Sequence, residues 1–167
     1  MNLTYGKVLR EIGRQYFAVL STNDTGGTPA SAGVTYGLAP SGVTVYVMMR
    51  RHLQKARNIT ATQKVSVVVP IPRKLVLTLP PATIQLRGQA EILDWTDTEA
   101  RGVFSGFWLG RQILNGYEQL HERGERRICL LRIDLDPVIH TYMIGTSISQ
   151  ARYRMETGSA TVIRPGI

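Results

Sequence analysis

The chain has 167 residues and a formal net charge of +8, and 43% of its residues are hydrophobic against 19% that are charged. This length fits a single domain over residues 1–167, and this balance excludes a disordered chain. No stretch is apolar for long enough to span a membrane, and the amino-terminal residues have no signal-peptide pattern, so we expect a soluble cytoplasmic protein.

The first fifty residues predict a short helix followed by an antiparallel meander. Apolar residues recur at helical spacing within residues 3–14, which favours an amphipathic helix. Strands are predicted at 16–22, 30–39 and 43–49. The last of these is rich in Val, Tyr and Thr, which favour extended structure. The segments NDTGGTP and PSG between them are turns, because Asn, Asp and Gly tolerate the backbone angles of tight turns.

The rest of the chain adds further strands and a helical insertion. We predict a helix over 52–63, a strand over 64–71, a loop or edge element over 70–81, and a strand over 82–94. Within the last strand, Gly88 indicates a bulge or a close backbone approach. Thr96 and Glu99 form a capping-box pattern that opens a helical region over about 96–123, broken near residues 106–110. One or two final strands are predicted within 126–144, with Pro137 at a kink or edge, and the last fifteen residues are expected to be extended or loose.

These elements together predict a mainly β protein of the α+β class. Five or six short strands joined by hairpin turns, with two or three helices, are typical of a small antiparallel β-barrel, closed or partly closed, with flanking helices.

Several classes of catalytic or metal site have no support in the sequence. The single cysteine, Cys129, lies in the apolar run RRICLLRID, which predicts a buried and unreactive thiol. His52, His121 and His140 are far apart in the chain, and no HExxH or CxxC spacing occurs, so we predict no metal site. No nucleophile elbow or phosphate loop is present, and no catalytic acid or base stands out.

The stretch VMMRRHLQKARNI, residues 47–59, is unusually basic and joins a predicted strand to a predicted helix. The first N–H groups of a helix are unpaired and attract anions. Arg51 and Lys55 are four residues apart, which would place both on one side of that helix, and Arg50 at the end of the strand could reach the same point. A solvated basic turn and a phosphate site both fit this pattern.

The order of motifs resembles the pyridoxamine 5′-phosphate oxidase-like, FMN-binding split β-barrel family. The matching segments are FAVLST, the acidic-glycine turn NDTGGTP, Lys55 with Asn58, KVSVVV and LRGQAEIL. The resemblance is strongest over residues 14–94. It implies a split antiparallel β-barrel that forms a homodimer, with the cofactor in a cleft between the subunits and a small-molecule substrate or electron donor.

The resemblance also implies which residues bind the cofactor. The phosphate of FMN would be held by Arg50, Arg51 and Lys55, with Arg57 and Asn58 nearby. The isoalloxazine ring would lie along the second and third strands, near Gly33, Val34, Thr35, Tyr36, Val47, Met48 and Met49. Trp108 from the helical insertion would cover the cofactor of the partner subunit. Residues 70–81 and 96–123 would shape the substrate pocket or the dimer contact.

Two departures from the family pattern bear on the cofactor. Many relatives carry a Ser or Thr that binds the phosphate just before the helix, where this chain has Leu53 and Gln54. The glutamine and the Arg-x-His signature of true pyridoxamine phosphate oxidases are also missing, so we do not expect vitamin B6 oxidation. The leading hypothesis is an FMN-dependent oxidoreductase. The alternatives are a deazaflavin protein, or a haem-binding or haem-degrading protein with His52, His121 or His140 as axial ligand.

The excess of basic residues also raises the hypothesis of a nucleic-acid-binding protein. Sixteen of the twenty basic residues are arginine, but they are spread along the chain. No aromatic residues interleave with the basic cluster to stack on bases, so nucleic acid is an unlikely partner.

Overall fold

The computed structural model describes residues 3–72, 81–147 and 153–166. The helices are α1 Tyr5–Arg14, α2 Gln54–Thr62, α3 Thr98–Ser105 and α4 Trp108–Glu122, with a short 3-10 helix at Met155–Gly158. The strands are β1 Phe17–Asn23, β2 Pro29–Leu38, β3 Thr44–Arg50, β4 Lys64–Ile71, β5 Ala82–Leu93, β6 Ile128–Leu135, β7 Val138–Tyr142 and β8 Ser159–Ile163. None of the described helices is long and apolar enough to cross a membrane.

Six strands close into an antiparallel barrel in the order β4-β1-β2-β3-β6-β5, and β5 pairs back onto β4. The long strand β5 has two partners on its other edge. Residues 83–85 pair with β7, and residues 88–93 pair with β6. The hairpin β7–β8 therefore extends the sheet beyond the barrel. These pairings confirm the predicted split antiparallel β-barrel.

Gly88 lies where β5 changes from β7 to β6. A Cβ atom at this position would collide with the carbonyl oxygen of Asp134 in β6. The close backbone approach predicted for this glycine is confirmed, and the pairing with β6 runs through Gly88 without an extra residue.

Two apolar cores hold the fold together. Alternate residues of the barrel strands, such as Leu20 and Ile133, point inward and form the main core with Ile59 of α2. A second core lies outside the barrel, where Phe104 and Leu114 of the pair α3 and α4 pack over Leu130. The strand β3 contributes to both cores, because successive side chains of a strand point to opposite faces, and six of its seven residues are buried.

Helix α1 is tied to the barrel by a buried hydrogen bond. The hydroxyl of Tyr36 in β2 donates to the carbonyl oxygen of Ile12, one of the last residues of α1, at 2.6 Å. Burial raises the pKa of Tyr36 well above its usual value, so the hydroxyl stays protonated and remains a donor. The Ile12 carbonyl, near the end of the helix, also accepts from the backbone N–H of Gln15 at 3.2 Å, so the tyrosine bond is a second one to the same oxygen.

We expect the change Tyr36→Phe to lower the free energy of unfolding by about 1 kcal/mol, because a buried hydrogen bond is lost while the Ile12 carbonyl keeps the backbone N–H of Gln15. Tyr117→Phe is the control, since the Tyr117 hydroxyl has no hydrogen-bond partner among the described residues and its ring stacks on Trp95. Urea unfolding of both variants measures the difference. Equal stabilities of the two variants would contradict the assigned role of the bond.

One local prediction needs correction. The N-cap of α3 is Asp97, whose carboxylate accepts from the backbone N–H of Ala100, so the capping box of Thr96 and Glu99 is wrong. Thr96 bonds Asp94 instead. The helical region is broken at residues 106–107 as expected. Part of the last fifteen residues is extended, as one of the two expectations had it, since β8 pairs with β7 over five residue pairs.

Candidate functional site

Strand β2 is paired on both edges for only part of its length. It pairs with β1 over residues 29–35, whereas the pairing with β3 covers only Tyr36–Leu38 against Val47–Val45. Among the described strands, residues 29–35 therefore have β1 as their sole partner, and their other edge is open. Unpaired backbone groups at such an edge can bind an extended ligand or another chain.

The strand residues predicted to contact the flavin ring divide between the interior and this open edge. Val34, Tyr36, Val47 and Met49 point into the main core, and Met48 lies in the second core beneath α3. Gly33 is exposed and Thr35 is half-buried. Contact of the flavin ring with Gly33 and Thr35 stays a prediction. The other five of these side chains lie in the two cores and are covered by the protein itself.

A side chain at position 33 would crowd the neighbouring strand. A Cβ atom on Gly33 would lie 2.9 Å from the ring of Phe17 in β1. The glycine thus lets the Phe17 ring lie close to the backbone of β2, as such an approach requires a small residue.

The basic residues between β3 and α2 lie in two different places. Helix α2 begins at Gln54, so Arg51 precedes the helix, and the four-residue spacing does not place it beside Lys55. Arg51 and Arg57 line a cavity of about 350 Å³ over Ala56 and Ile92, which we call the Arg51 hollow. The guanidinium of Arg51 lies 4.0 Å from the Asp94 carboxylate there.

Lys55 lies in a separate cavity of about 200 Å³ between the start of α2 and the strands β1 and β2. We call this cavity the Lys55 hollow; besides Lys55 it is lined by Leu20, Thr22, Ala30, Ser31, Ala32, Leu53 and Gln54. Lys55 is half-buried, and this burial lowers the pKa of its ammonium group. No acidic residue of the described chain forms an ion pair with it. A desolvated and unpaired ammonium group favours the binding of an anion.

Two residues with hydroxyl groups, one from each strand, line this hollow, and the Ser31 side chain lies on the face of the sheet opposite to Thr22. Leu53 occupies the position where relatives carry a phosphate-binding hydroxyl, but Thr22 of β1 and Ser31 of β2 both line the hollow. Ser31 shares a 2.8 Å hydrogen bond with Ser21, its neighbour across the strands. Sequence reasoning missed both residues. The alternation of β1, which turns the polar Thr22 to the same side as Ala18 and Leu20, was the available signal.

The other predicted phosphate ligands do not line the Lys55 hollow. The Nε atom of Arg50 is buried and has no hydrogen-bond partner among the described residues. Arg57 donates to the carbonyl oxygen of His52 at 3.0 Å and to Gln54 Oε1 at 2.6 Å. Asn58 is only 2% exposed, and both ends of its amide are bonded within the protein. Trp108, the first residue of α4, is far more exposed and lies outside this hollow.

The three histidines occupy separate environments. His52 is exposed, His121 lies against Trp95 and bonds Arg126 at 3.0 Å, and His140 bonds Thr161 at 3.1 Å. No three His, Cys, Asp or Glu residues come close enough to hold a metal ion in the part of the chain that the structure describes. Cys129 is fully buried, and burial raises the pKa of its thiol.

The split barrel with an anion-attracting hollow beside an open strand defines a class of cofactor-binding barrel proteins. The family model described as pyridoxamine 5′-phosphate oxidase matches residues 6–140. The chain belongs to this family. No curated protein matches the chain in sequence.

The expectation that residues 70–81 shape the substrate pocket or the dimer contact falls largely on 73–80, which lie outside the described residues.

Solved structures share the fold at low sequence identity. The haem-storage protein HutZ from Vibrio cholerae has 13% identity and a TM-score of 0.64, over 83% of this chain and 94% of that one. ChuZ from Campylobacter jejuni has 10% identity and a TM-score of 0.70, over 99% of this chain and 62% of that one. A pyridoxamine 5′-phosphate oxidase-related, FMN-binding protein from Nostoc punctiforme has 12% identity and a TM-score of 0.58, over 85% and 84%.

Proposed function

We propose that this protein binds FMN and serves as a flavin-dependent oxidoreductase of a small molecule, with the cofactor phosphate in the Lys55 hollow. The observation that carries the proposal is the half-buried Lys55, which has no anionic partner among the described residues. The start of α2 adds partial positive charge at the same place, and Thr22 provides a hydroxyl group. These residues fit a phosphate group.

The flavin ring has a natural path away from this hollow. Ser31 lines the hollow, and Gly33 and Thr35 follow on the same strand, whose open edge faces away from β1. An extended ligand anchored at Lys55 can therefore lie along residues 31–35. When bound, FMN supplies the hydride or electron transfer, and the chain holds the phosphate and shields one side of the ring.

We also propose that two copies of the chain assemble with the cofactor between them. Three of the exposed aromatic side chains are Tyr16 at 44%, Phe17 at 51% and Trp108 at 68%. Tyr16 stacks on Phe107, the residue before Trp108, and Phe17 lies against Gly33 of β2. A second copy covering this surface would bury these rings and close the cofactor site, with Trp108 placed over the flavin of the partner.

Titration with FMN tests the proposed function. We expect the purified protein to quench FMN fluorescence, shift its visible absorbance and co-elute with it as a dimer on size exclusion. Riboflavin, which lacks the phosphate, is expected to bind more weakly. Absence of any spectral shift and of co-elution at excess FMN would refute flavin binding. A deazaflavin cofactor with a phosphate would use the same hollow, and a parallel titration with it decides between the two.

Haem binding is the second candidate, supported by the shared fold with a haem-storage protein. His140 faces a cavity of about 600 Å³ on the outer face of β5, β7 and β8. Its Nδ1 atom lies beside Thr161, which leaves Nε2 for a ligand. The cavity is lined by Thr83, Gln85 and Arg87, a polar surface that suits a porphyrin ring poorly. A Soret band on hemin addition that vanishes in His140→Ala, and not in His52→Ala or His121→Ala, would favour haem.

A further inference from the structure

A chain of hydrogen bonds runs from the surface of α2 to the Lys55 hollow. Arg57 Nη2 bonds Gln54 Oε1 at 2.6 Å, Gln54 Nε2 bonds Asn58 Oδ1 at 2.8 Å, and Asn58 Nδ2 bonds Thr22 Oγ1 at 3.0 Å. The chain of hydrogen bonds begins at Arg57, which is exposed, and ends at Thr22, a residue that is 2% exposed. We call this set of four residues the Arg57 relay.

Arg57, the first residue of the relay, determines which atom donates in each of its hydrogen bonds. A guanidinium can only donate hydrogen bonds, so the Gln54 atom beside Arg57 must be the amide oxygen. The amide nitrogen of Gln54 then faces Asn58 and must meet the Asn58 oxygen, which turns the Asn58 nitrogen toward Thr22. Reversing either amide would place two donors or two acceptors against each other, and amide orientations are fixed by such a network.

Thr22 is therefore left with a proton to donate. Its oxygen accepts from Asn58, and within residues 3–72, 81–147 and 153–166 its hydroxyl proton has no acceptor. A buried donor without an acceptor is unfavourable. Thr22 lines the Lys55 hollow, so an acceptor placed beside Lys55 would receive this proton's hydrogen bond.

We propose that the Arg57 relay makes Thr22 a dedicated donor to the phosphate of the cofactor, with Arg57, Gln54 and Asn58 as positioning residues. This inference rests on the proposed function. The ligand group that fits is a phosphate monoester, whose oxygens only accept when it is fully ionised. The terminal hydroxyl of riboflavin would gain less, because it carries no charge to strengthen the bond and none to pair with Lys55. The relay thus raises selectivity for FMN over riboflavin without contacting the flavin ring.

The test compares the dissociation constants of FMN and riboflavin, measured by flavin fluorescence, in four variants. Thr22→Val keeps the shape and removes the hydroxyl, and Thr22→Ser restores it. Arg57→Met keeps an unbranched side chain and removes the donor that orients the hydrogen bonds of the Arg57 relay. Arg57→Lys keeps a group that only donates. Arg57 is exposed, so its variants leave the fold intact. Thermal unfolding of each variant is recorded alongside.

We expect the preference for FMN over riboflavin to fall about tenfold or more in Thr22→Val, as loss of a hydrogen bond to a charged group requires. A smaller fall is expected in Arg57→Met, and near-native preference in Thr22→Ser and Arg57→Lys. An unchanged preference in Thr22→Val would overturn the proposal and leave the relay as a tie between α2 and β1. An effect of Thr22→Val without any effect of Arg57→Met would overturn the part assigned to Arg57. A wild-type protein that binds FMN no better than riboflavin would instead refute the phosphate site itself.

Discussion

Replacing Lys55 with methionine is expected to weaken FMN binding about thirtyfold while leaving riboflavin binding nearly unchanged. Methionine keeps the length of the stem and removes the ammonium group. Loss of one partner of a desolvated charge pair costs about 2 kcal/mol or more, and 1.4 kcal/mol corresponds to a tenfold change in affinity. Fluorescence titrations with both flavins measure the two effects separately.

The same change is expected to stabilise the protein without cofactor, by up to about 1 kcal/mol. Burial lowers the pKa of Lys55 from its ordinary value of 10.5, so the folded protein binds this proton less tightly than the unfolded chain. The free energy of unfolding therefore rises with pH between the lowered pKa and 10.5. Urea unfolding across this range should show the rise in the wild type and its loss in Lys55→Met.

Arg51→Met is the matched control for both effects. Arg51 is also a cation next to α2, but it lines the Arg51 hollow and lies near the Asp94 carboxylate. We expect Arg51→Met to change FMN affinity less than threefold, because salt screens the interaction of a distant, exposed charge with the phosphate. If Arg51→Met weakened FMN binding as strongly as Lys55→Met, the phosphate would have to lie in or near the Arg51 hollow.

The change Gly88→Ala is expected to lower the free energy of unfolding by about 3 kcal/mol. The added methyl group would collide with the Asp134 carbonyl oxygen and approach the Cα atom of Leu135 to 3.2 Å. These are backbone atoms of β6, which is paired with β3 along its other edge, so β6 cannot move aside cheaply. Forcing atoms into a packed core costs about 1 to 3 kcal/mol, occasionally more. The melting temperature should fall by about 6 to 12 °C.

Gly116→Ala provides the control for this prediction. Gly116 lies within α4, is exposed, and would have no atom within 4 Å of an added Cβ. Alanine favours a helix over glycine by about 1 kcal/mol, so this variant should be more stable than the wild type. Differential scanning calorimetry of both variants gives the comparison, and a Gly88→Ala protein as stable as Gly116→Ala would contradict the collision.

The barrel strands could be predicted because each carries a strong local signal. Strand β4 has four valines between residues 65 and 69, which favour extended structure, and turn residues separate β1, β2 and β3. Strand β8 could not be predicted in this way, because only Val162 of its five residues is buried. Its pairing with β7 is a long-range contact that the short sequence of residues 159–163 does not indicate.

The candidate site was less predictable than the fold. The sequence correctly marked the junction of β3 and α2 as basic, but it could not tell which cations share a cavity. That depends on where α2 begins: a start at Gln54 separates Arg51 from Lys55. The relay was also hidden, since the bond from Asn58 to Thr22 joins residues that are thirty-six positions apart. Asn58 was expected near the phosphate, and its amide is bonded to Gln54 and Thr22.

The burial of Cys129 has a practical consequence for measuring how the chain assembles. This is the single cysteine of the sequence, and its thiol is fully buried with a raised pKa, so it reacts slowly with maleimides and methanethiosulfonates. One cysteine introduced at an exposed position, such as Gly116, would then carry nearly all of an attached spin label or dye. Distances between labels on two copies can be recorded without first removing a native thiol and disturbing the barrel interior.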